Sequence, residues 1–289
     1  MVGLNTDGSV LEMIYLILAI VSSAMISVVM RVSERHVKNN MSMLALNYLM
    51  CMVMSWIDTG SLRLFESAEG VLSTVVMGMI SGVLFLAGFV FLQWNISKNG
   101  VVLPAMFMKL GVLVPTVMAI VVFGETPRLT QVAGIIAAVC AILLIQGGGR
   151  QEAGSVAGLI LLMLAGGGAD GMSKIFEEMG VSSLKSQYLL CTFATAMILC
   201  TALCAAKKQR LTAVDALFGL AIGVPNYFST KFLLWSLGAV PAVVAYPTYS
   251  VGTIVMVTLA GVILFREKLS RRKLIALGVI IAALALLNL

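Results

Sequence analysis

Long apolar segments separated by short polar ones run through this chain from one end to the other. Many of them approach the roughly 20 residues that an α-helix needs to cross the hydrocarbon core of a bilayer. The pattern predicts ten spans, at residues 12–32, 43–57, 71–93, 101–122, 132–147, 156–175, 188–206, 216–236, 241–264 and 274–289. We therefore expect an all-α membrane protein.

The second half of the chain repeats the first at an offset of 141 to 143 residues. The matching runs are Tyr48-Leu49-Met50-Cys51 with Tyr188-Leu189-Leu190-Cys191, Phe91-Leu92-Gln93-Trp94 with Phe232-Leu233-Leu234-Trp235, and Phe123-Gly124-Glu125 with Phe265-Arg266-Glu267. The repeat predicts two five-helix units, residues 1–147 and 156–289, joined by a polar, glycine-rich linker at 148–155. Because five is an odd number, the two units are expected to cross the membrane in opposite orientations, as an inverted repeat.

Composition supports the membrane placement. The chain is 60% hydrophobic and 11% charged, with a mean hydropathy of +1.05, whereas soluble domains carry about 25% charged residues. Its first ten residues contain no basic cluster, so we expect no cleavable signal peptide. The prediction is a multi-pass integral protein of a bacterial inner (plasma) membrane.

Basic residues are distributed unevenly between the loops. The odd-numbered loops and the adjoining helix ends hold 13 Lys and Arg residues, and the even-numbered loops hold three. The positive-inside rule then places the odd-numbered loops in the cytoplasm and both termini outside. This topology accounts for the net charge of +6, so no nucleic-acid partner is expected.

The predicted topology can be tested by labelling. A cysteine introduced near Ser67, in an even-numbered loop, should react with an impermeant thiol reagent in intact cells, and one near Gln209 should not. The reverse labelling pattern would overturn the orientation and leave the helix assignment intact.

Metal-binding and enzymatic signatures are weak. The five cysteines all lie within apolar spans, and although Cys200 and Cys204 share a helix face, no histidine or acid joins them, so we expect no metal and no cofactor. The single histidine, His36, lies in a basic loop. An intramembrane aspartyl protease would need two facing aspartates and a glycine before the second, but Ala169 precedes Asp170. We therefore expect a protein that is not an enzyme.

Lys109 is the most informative polar residue within a span. It lies eight residues into the fourth span, about 12 Å along a helix axis and so near the midplane. A charge at that depth costs roughly 2.5–3.5 kcal/mol on insertion scales. Pro104, Gly111 and Pro115 weaken the surrounding helix. Lys109 is expected either to bind substrate or a coupling ion, or to pair with a helix-end carbonyl or an acid.

The repeat partner of Lys109 is Ser250, in the ninth span. Tyr246, Pro247 and Tyr249 stand just before it. Tyrosine combines an apolar ring with a hydrogen-bonding hydroxyl, which suits an amphiphilic solute, although packing alone would also explain Tyr246. We expect the fourth and ninth spans to form an asymmetric pair of broken helices around one ligand, with Tyr246, Tyr249 and Ser250 in contact with it.

Four more polar residues within spans are candidates. Asn226 and Lys231 in the eighth span are assigned to the substrate site, with snorkelling of Lys231 to a helix end as the alternative. Asp170 and Lys174 in the sixth span are assigned to coupling. They are spaced i, i+4, so they could instead simply pair with each other.

Two patterns are interpreted as structural. Glu125 and Glu267 each stand at a helix end beside a tight turn, where a carboxylate is expected to accept N–H bonds from the next helix. Glycines spaced by four residues, such as Gly78 and Gly82, are expected to let two helices approach closely.

These features resemble the drug/metabolite transporter superfamily, and specifically its EamA-type members, over nearly the whole chain. The motifs that carry the resemblance are Phe123-Gly124-Glu125-Thr126-Pro127-Arg128-Leu129-Thr130-Gln131 followed by Gly134, and Phe265-Arg266-Glu267-Lys268-Leu269-Ser270 followed by Gly278. In the second motif Arg266 stands where glycine is usual. The resemblance implies transport without specifying a substrate, and it implies cytoplasmic termini, the opposite of what the loop charges indicate.

The sequence as a whole predicts a secondary transporter that works by alternating access. Its substrate is expected to be a small polar or amphiphilic metabolite, such as an amino acid or another carboxylate- or phosphate-bearing solute, bound between the fourth and ninth spans near Lys109. Proton or exchange coupling, and a monomer or homodimer in the bilayer, are expected. The alternatives are a proton-coupled exporter of cationic or aromatic drugs and a channel or membrane scaffold. Cationic-drug exporters of this superfamily depend on a glutamate deep in the first helix, whereas Glu12 lies only at its edge.

Overall fold

A computed structural model describes residues 6–33, 36–60, 69–99, 102–146, 155–266 and 271–287, and these residues form helices and connecting turns. The helices are α1 (Thr6–Ser33), α2 (Asn40–Thr59), α3 (Val71–Asn99), α4 (Val102–Leu110), α5 (Leu113–Val121), α6 (Leu129–Gln146), α7 (Val156–Met179), α8 (Lys185–Ala206), α9 (Ala213–Ser236), α10 (Ala242–Phe265) and α11 (Arg271–Leu287). Each predicted span corresponds to one helix, except that α4 and α5 share the fourth. The predicted all-α membrane fold is confirmed.

Several of these helices are built to lie in lipid. Among the helices that the described residues form, six are long and apolar enough to cross a membrane, namely α1, α2, α3, α7, α8 and α10. Shorter apolar segments occur at Phe107–Val121, Leu129–Leu144 and Leu274–Leu287. Large apolar side chains point outward, as Leu129 (88% exposed) and Leu72 (77%) do. An outward apolar surface of this kind is stable in a bilayer and unfavourable in water.

Polar side chains define where several helices begin. Asn39 caps α2 and Ser155 caps α7 by accepting backbone N–H bonds. At the start of α9, Thr212 and Asp215 form a capping box. Asp215 also accepts the backbone N–H of Lys38 at 3.0 Å, so a single carboxylate joins the starts of α2 and α9.

The fourth span is interrupted where the sequence predicted weakness. The helix stops at Leu110 and resumes at Leu113, with Gly111 and Val112 in a turn between α4 and α5. The expectation of a second broken helix is wrong, because α10 continues through Pro247. A proline at this position removes only the bond to the carbonyl four residues earlier, which the rest of the helix tolerates.

Packing relations in one half of the chain have counterparts in the other. The first span of the first half, α1, packs on α9 and α10, while the first span of the second half, α7, packs on α3 and on α4 and α5. The second spans, α2 and α8, pack on each other, as do the last spans, α6 and α11. Helices α5 and α10 meet near the middle of this arrangement.

Glycines allow the closest helix contact, as expected from their spacing. A Cβ atom added at Gly78 would lie 3.0 Å from the carbonyl oxygen of Tyr188, and one at Gly82 would lie 2.4 Å from that of Thr192. Helices α3 and α8 therefore touch backbone to backbone. Their contact adjoins a buried aromatic cluster that includes Phe176, which stacks on Tyr188 with ring centroids 4.3 Å apart.

Candidate functional site

The break between α4 and α5 presses directly against α7. A Cβ atom at Gly167 would lie 2.2 Å from the carbonyl oxygen of Gly111, and one at Gly111 would lie 3.1 Å from the amide nitrogen of Gly167. Only glycine fits at both positions, because each side chain would meet backbone atoms. This contact holds the end of α4, and with it Lys109, beside the middle of α7.

Lys109 and Asp170 form the electrostatic centre of the candidate site. Asp170 lies one turn beyond Gly167 on α7, and its charge acts on the partly buried Lys109. Within the described part of the chain, the two side chains make no direct ion pair. Of the two roles expected for Lys109, pairing with an acid is therefore incomplete, because Asp170 acts on it without a direct ion pair.

The tyrosines of α10 contact the same region. Tyr246, 1% exposed, donates its hydroxyl to the carbonyl oxygen of Asp170 at 2.7 Å. The hydroxyl of Tyr249 shares a hydrogen bond of 2.8 Å with Ser229 of α9, and the charge of Asp170 also acts on Tyr249. Ser250 is buried one turn beyond Tyr246. The structure thus brings α4, α7 and α10 together around Lys109, Asp170 and Tyr246.

The two candidates on α9 make their contacts elsewhere. Asn226 donates to Asn47 of α2 at 3.2 Å. Lys231 forms an ion pair with Asp58, at the end of α2, and its ammonium lies 5.3 Å from the ring centre of Trp235. Their contacts join α9 to α2, so the geometry does not link them to Lys109.

Lys174 pairs with other acids than the one its spacing suggests. Its Nζ atom lies 2.7 Å from Glu125 and 2.5 Å from Glu178, and 5.6 Å from the ring centre of Phe123. The alternative of an i, i+4 pair with Asp170 is wrong, because the buried ammonium group is bound by Glu125, in the turn after α5, and by Glu178 of α7. Asp170 keeps its unpaired carboxylate as a result.

Glu125 caps a helix, but a different one from that expected. Its two carboxylate oxygens accept the backbone N–H groups of Ala242 at 3.1 Å and Val243 at 2.9 Å, the first residues of α10. The next helix in the chain, α6, is capped instead by Gln131, which accepts the N–H of Arg128. The corresponding expectation for Glu267 lies outside the described residues.

A group of hydroxyls near Asp170 was not predicted from the sequence. Tyr188 and Ser81 are fully buried, and neither hydroxyl has a hydrogen-bond partner among the described residues. Ser173, one turn from Asp170, faces Tyr188, and the charge of Asp170 also acts on Tyr188. Tyr188 and Ser81 also lie close enough to interact with each other, so together with Ser173 they form a buried polar cluster. Only the helix packing reveals them, since serine and tyrosine in a span are ordinary.

Comparisons with known proteins agree with the fold. The family described as Small Multidrug Resistance protein matches residues 186–280, which extend from α8 into α11. An uncharacterized protein of Haemophilus influenzae (strain ATCC 51907 / DSM 11121 / KW20 / Rd) is 23% identical over 284 residues, covering 94% of this chain and 95% of that protein. A crystal structure described only as that of a protein matches 96% of each chain with a TM-score of 0.75 and 16% identity.

The fold and the family match define a class. The multi-pass helical membrane fold, together with the match of residues 186–280 to a multidrug-resistance family, points to a transporter. The crystal structure supports the fold alone, at that level of identity.

Proposed function

We propose that this protein is a secondary transporter of the EamA type that moves a small anionic or zwitterionic metabolite, such as an amino acid or another carboxylate- or phosphate-bearing solute. The observation that carries the proposal is Lys109, held beside a helix break without a direct ion pair. Lysine donates three hydrogen bonds and binds carboxylate or phosphate as a point charge. The site lies between α4, α7 and α10.

The surrounding groups suit a ligand with a polar or aromatic body. Tyr246 and Tyr249 offer apolar rings, while the buried hydroxyls of Tyr188 and Ser81 would accept or donate hydrogen bonds. Asp170 would either receive an ammonium group of a zwitterion or carry a proton. We include Ser250 as part of the wall, and we regard Asn226 and Lys231 as stabilising the α2–α9 contact.

Alternating access is supported by the packing of the two halves. The first span of each half packs on the third and fourth spans of the other half. Five spans in each half give the two units opposite orientations, and a site between them can then open to either side by a rocking motion. The domain boundaries at 147 and 156 divide the units, which belong to one inner-membrane protein that functions as a monomer or homodimer. Neither a metal nor a cofactor is needed for this mechanism.

The second candidate is a proton-coupled exporter of cationic or aromatic drugs, which the family match favours. Residues 186–280 contain two acids, Asp215 and Glu267. The carboxylate of Asp215 is bound to the backbone at the start of α9, and Glu267 lies outside the described residues. Because a cation carrier needs an acid within the membrane, Asp170 of α7 would have to serve, and Lys109 beside it would repel the cation.

A thermal-stability screen separates the two candidates. Purified protein is heated with a panel of metabolites that contains amino acids, other carboxylates, phosphate esters and quaternary ammonium compounds. A ligand that binds only the folded state raises the melting temperature. Stabilisation by carboxylates or phosphates supports the proposal, whereas stabilisation by quaternary ammonium compounds alone would favour drug export.

Proton coupling is tested by Asp170→Asn. Because Asp170 is the candidate proton carrier, the variant is expected to lose transport driven by a pH gradient in proteoliposomes and to retain exchange of substrate across the membrane. The same assay on Glu178→Gln, which alters a half-exposed acid on the same helix, is the control. If Asp170→Asn still follows the imposed gradient as the parent protein does, coupling lies elsewhere.

A further inference from the structure

Two contacts at opposite ends of the bundle have the same composition. Lys174 at the end of α7 lies over the ring of Phe123, and Arg31 at the end of α1 lies over the ring of Phe265 at 4.7 Å from its centre. Phe123 and Phe265 are repeat partners at an offset of 142, and Arg31 and Lys174 are partners at an offset of 143. Each pair therefore sets a cation from the first span of one half on a phenylalanine at the end of a fourth or ninth span.

The backbone turns after the two phenylalanines also correspond. Gly124 has φ = +67° and Arg266 has φ = +53°, so both turns pass through the left-handed region. Arginine rarely adopts this conformation because its Cβ crowds the following carbonyl. The turn is thus kept in the second half even where the glycine of the motif is absent, which supports the equivalence of the two contacts.

Each contact joins the two halves of the chain. Lys174 belongs to the second half, and Phe123 and Glu125 belong to the first. Arg31 belongs to the first half, and Phe265 belongs to the second. Because four spans lie between α1 and α7, the two helices cross the bundle in opposite directions, so their carboxyl ends lie at opposite ends. The site precedes both cations along their helices. Asp170 lies one turn before Lys174 on α7, and Ala19, whose carbonyl oxygen accepts the hydroxyl of Ser229 beside Tyr249, lies 12 residues before Arg31 on α1.

We propose that these contacts are two equivalent gates, the Lys174 gate (Lys174, Phe123 and Glu125) and the Arg31 gate (Arg31 and Phe265), one at each end of the transport site. The proposal rests on the proposed function of alternating access. Release of one gate while the other stays closed opens the site to one side of the membrane. Glu125 extends the Lys174 gate to α10 through its bonds to Ala242 and Val243, so α7 and α10 would separate from α5 together.

The test measures access to the site from each side. Ser250→Cys places a thiol on buried α10 with little change in volume, and its labelling by a membrane-impermeant maleimide is compared in right-side-out and inside-out vesicles. The same variants without Ser250→Cys give the background from the five native cysteines. Unfolding in detergent before labelling sets the maximum signal.

Removal of each gate should open a different side. Lys174→Met is expected to raise the labelling rate about tenfold in one vesicle orientation, and Arg31→Met about tenfold in the other, as for a shift of about 1.4 kcal/mol in the closed–open equilibrium. Lys174→Arg keeps the positive charge, so labelling in this variant should stay at the parental rate.

Lys185→Met is the matched control. Lys185 stands near the same end of the bundle as Lys174, pairs with Glu177 at 2.6 Å and lies 5.8 Å from the ring centre of Trp235, but all three residues belong to the second half. Its removal deletes an ion pair and a cation–π contact and leaves the residues of both gates unchanged, so labelling should stay at the parental rate.

Three outcomes would contradict the proposal of two gates. Equal labelling from both sides in either variant, opening by Lys185→Met, or no labelling while the unfolded control reacts would show that the contacts only stabilise the fold. Failure of the proposed function is separate, because it appears in the ligand screen. Side-specific opening without stabilisation by carboxylates or phosphates would keep the gates and change the substrate.

Discussion

Lys109→Met is expected to weaken binding of the anionic ligand by about 1.5–3 kcal/mol, roughly 10- to 150-fold, while the protein stays folded. The substitution keeps most of the side-chain length and removes the charge that would bind a carboxylate or phosphate. Affinity and melting temperature are measured on one preparation, with a ligand found by the thermal screen. Lys185→Met, which removes a lysine that already has an acidic partner, should leave affinity unchanged.

A structural role for Lys109 would give a different pattern. If the function of Lys109 is to neutralise Asp170, Lys109→Met should leave the buried carboxylate of Asp170 without a nearby positive charge and lower the melting temperature. The double variant Lys109→Met with Asp170→Asn should then recover stability. Unchanged affinity in the single variant would remove Lys109 from the site and, with it, the main reason for preferring an anionic or zwitterionic substrate.

Glu125→Ala is expected to destabilise the folded protein by about 3 kcal/mol, the lower end of the range for breaking a buried ion pair. The change removes both acceptors at the start of α10 and the buried partner of Lys174, although Glu178 keeps one contact with that lysine. Reversible unfolding in mixed detergent micelles measures the loss.

Two variants show which part of Glu125 matters. Glu125→Gln keeps an acceptor for one N–H group and should cost less than Glu125→Ala. Glu178→Gln removes the exposed partner of Lys174, 42% exposed, and should cost about 0–1 kcal/mol. Equal losses for Glu125→Ala and Glu178→Gln would contradict the assignment of Glu125 as the central contact of this region.

Much of the fold follows from the sequence. Apolar segments of spanning length have to be helical in lipid, because every backbone polar group must be satisfied within its own segment. The interruption at Gly111 was also predictable from two nearby prolines and a glycine. The continuity of α10 was not, since a single proline is tolerated when the rest of a helix is well packed and capped.

The site was only partly predictable. Depth in a span identified Lys109, Asp170 and Tyr246, and the packing of α4, α7 and α10 places them together. Depth also selected Lys231 and Asn226, whose partners on α2 cannot be deduced from their own helix. The sequence did not identify Tyr188 as a candidate, because only the helix packing shows what surrounds its hydroxyl.

The sequence by itself determined the spans, the repeat and the buried polar residues, because each depends on composition and spacing along one segment. The tertiary structure decided the pairings. Lys174 lies i, i+4 from Asp170 but pairs with Glu125, and Glu125 caps a helix that begins 117 residues later rather than the next one. Both choices are made where helices from different halves meet, since a buried charge takes the partner that packing brings within hydrogen-bond distance.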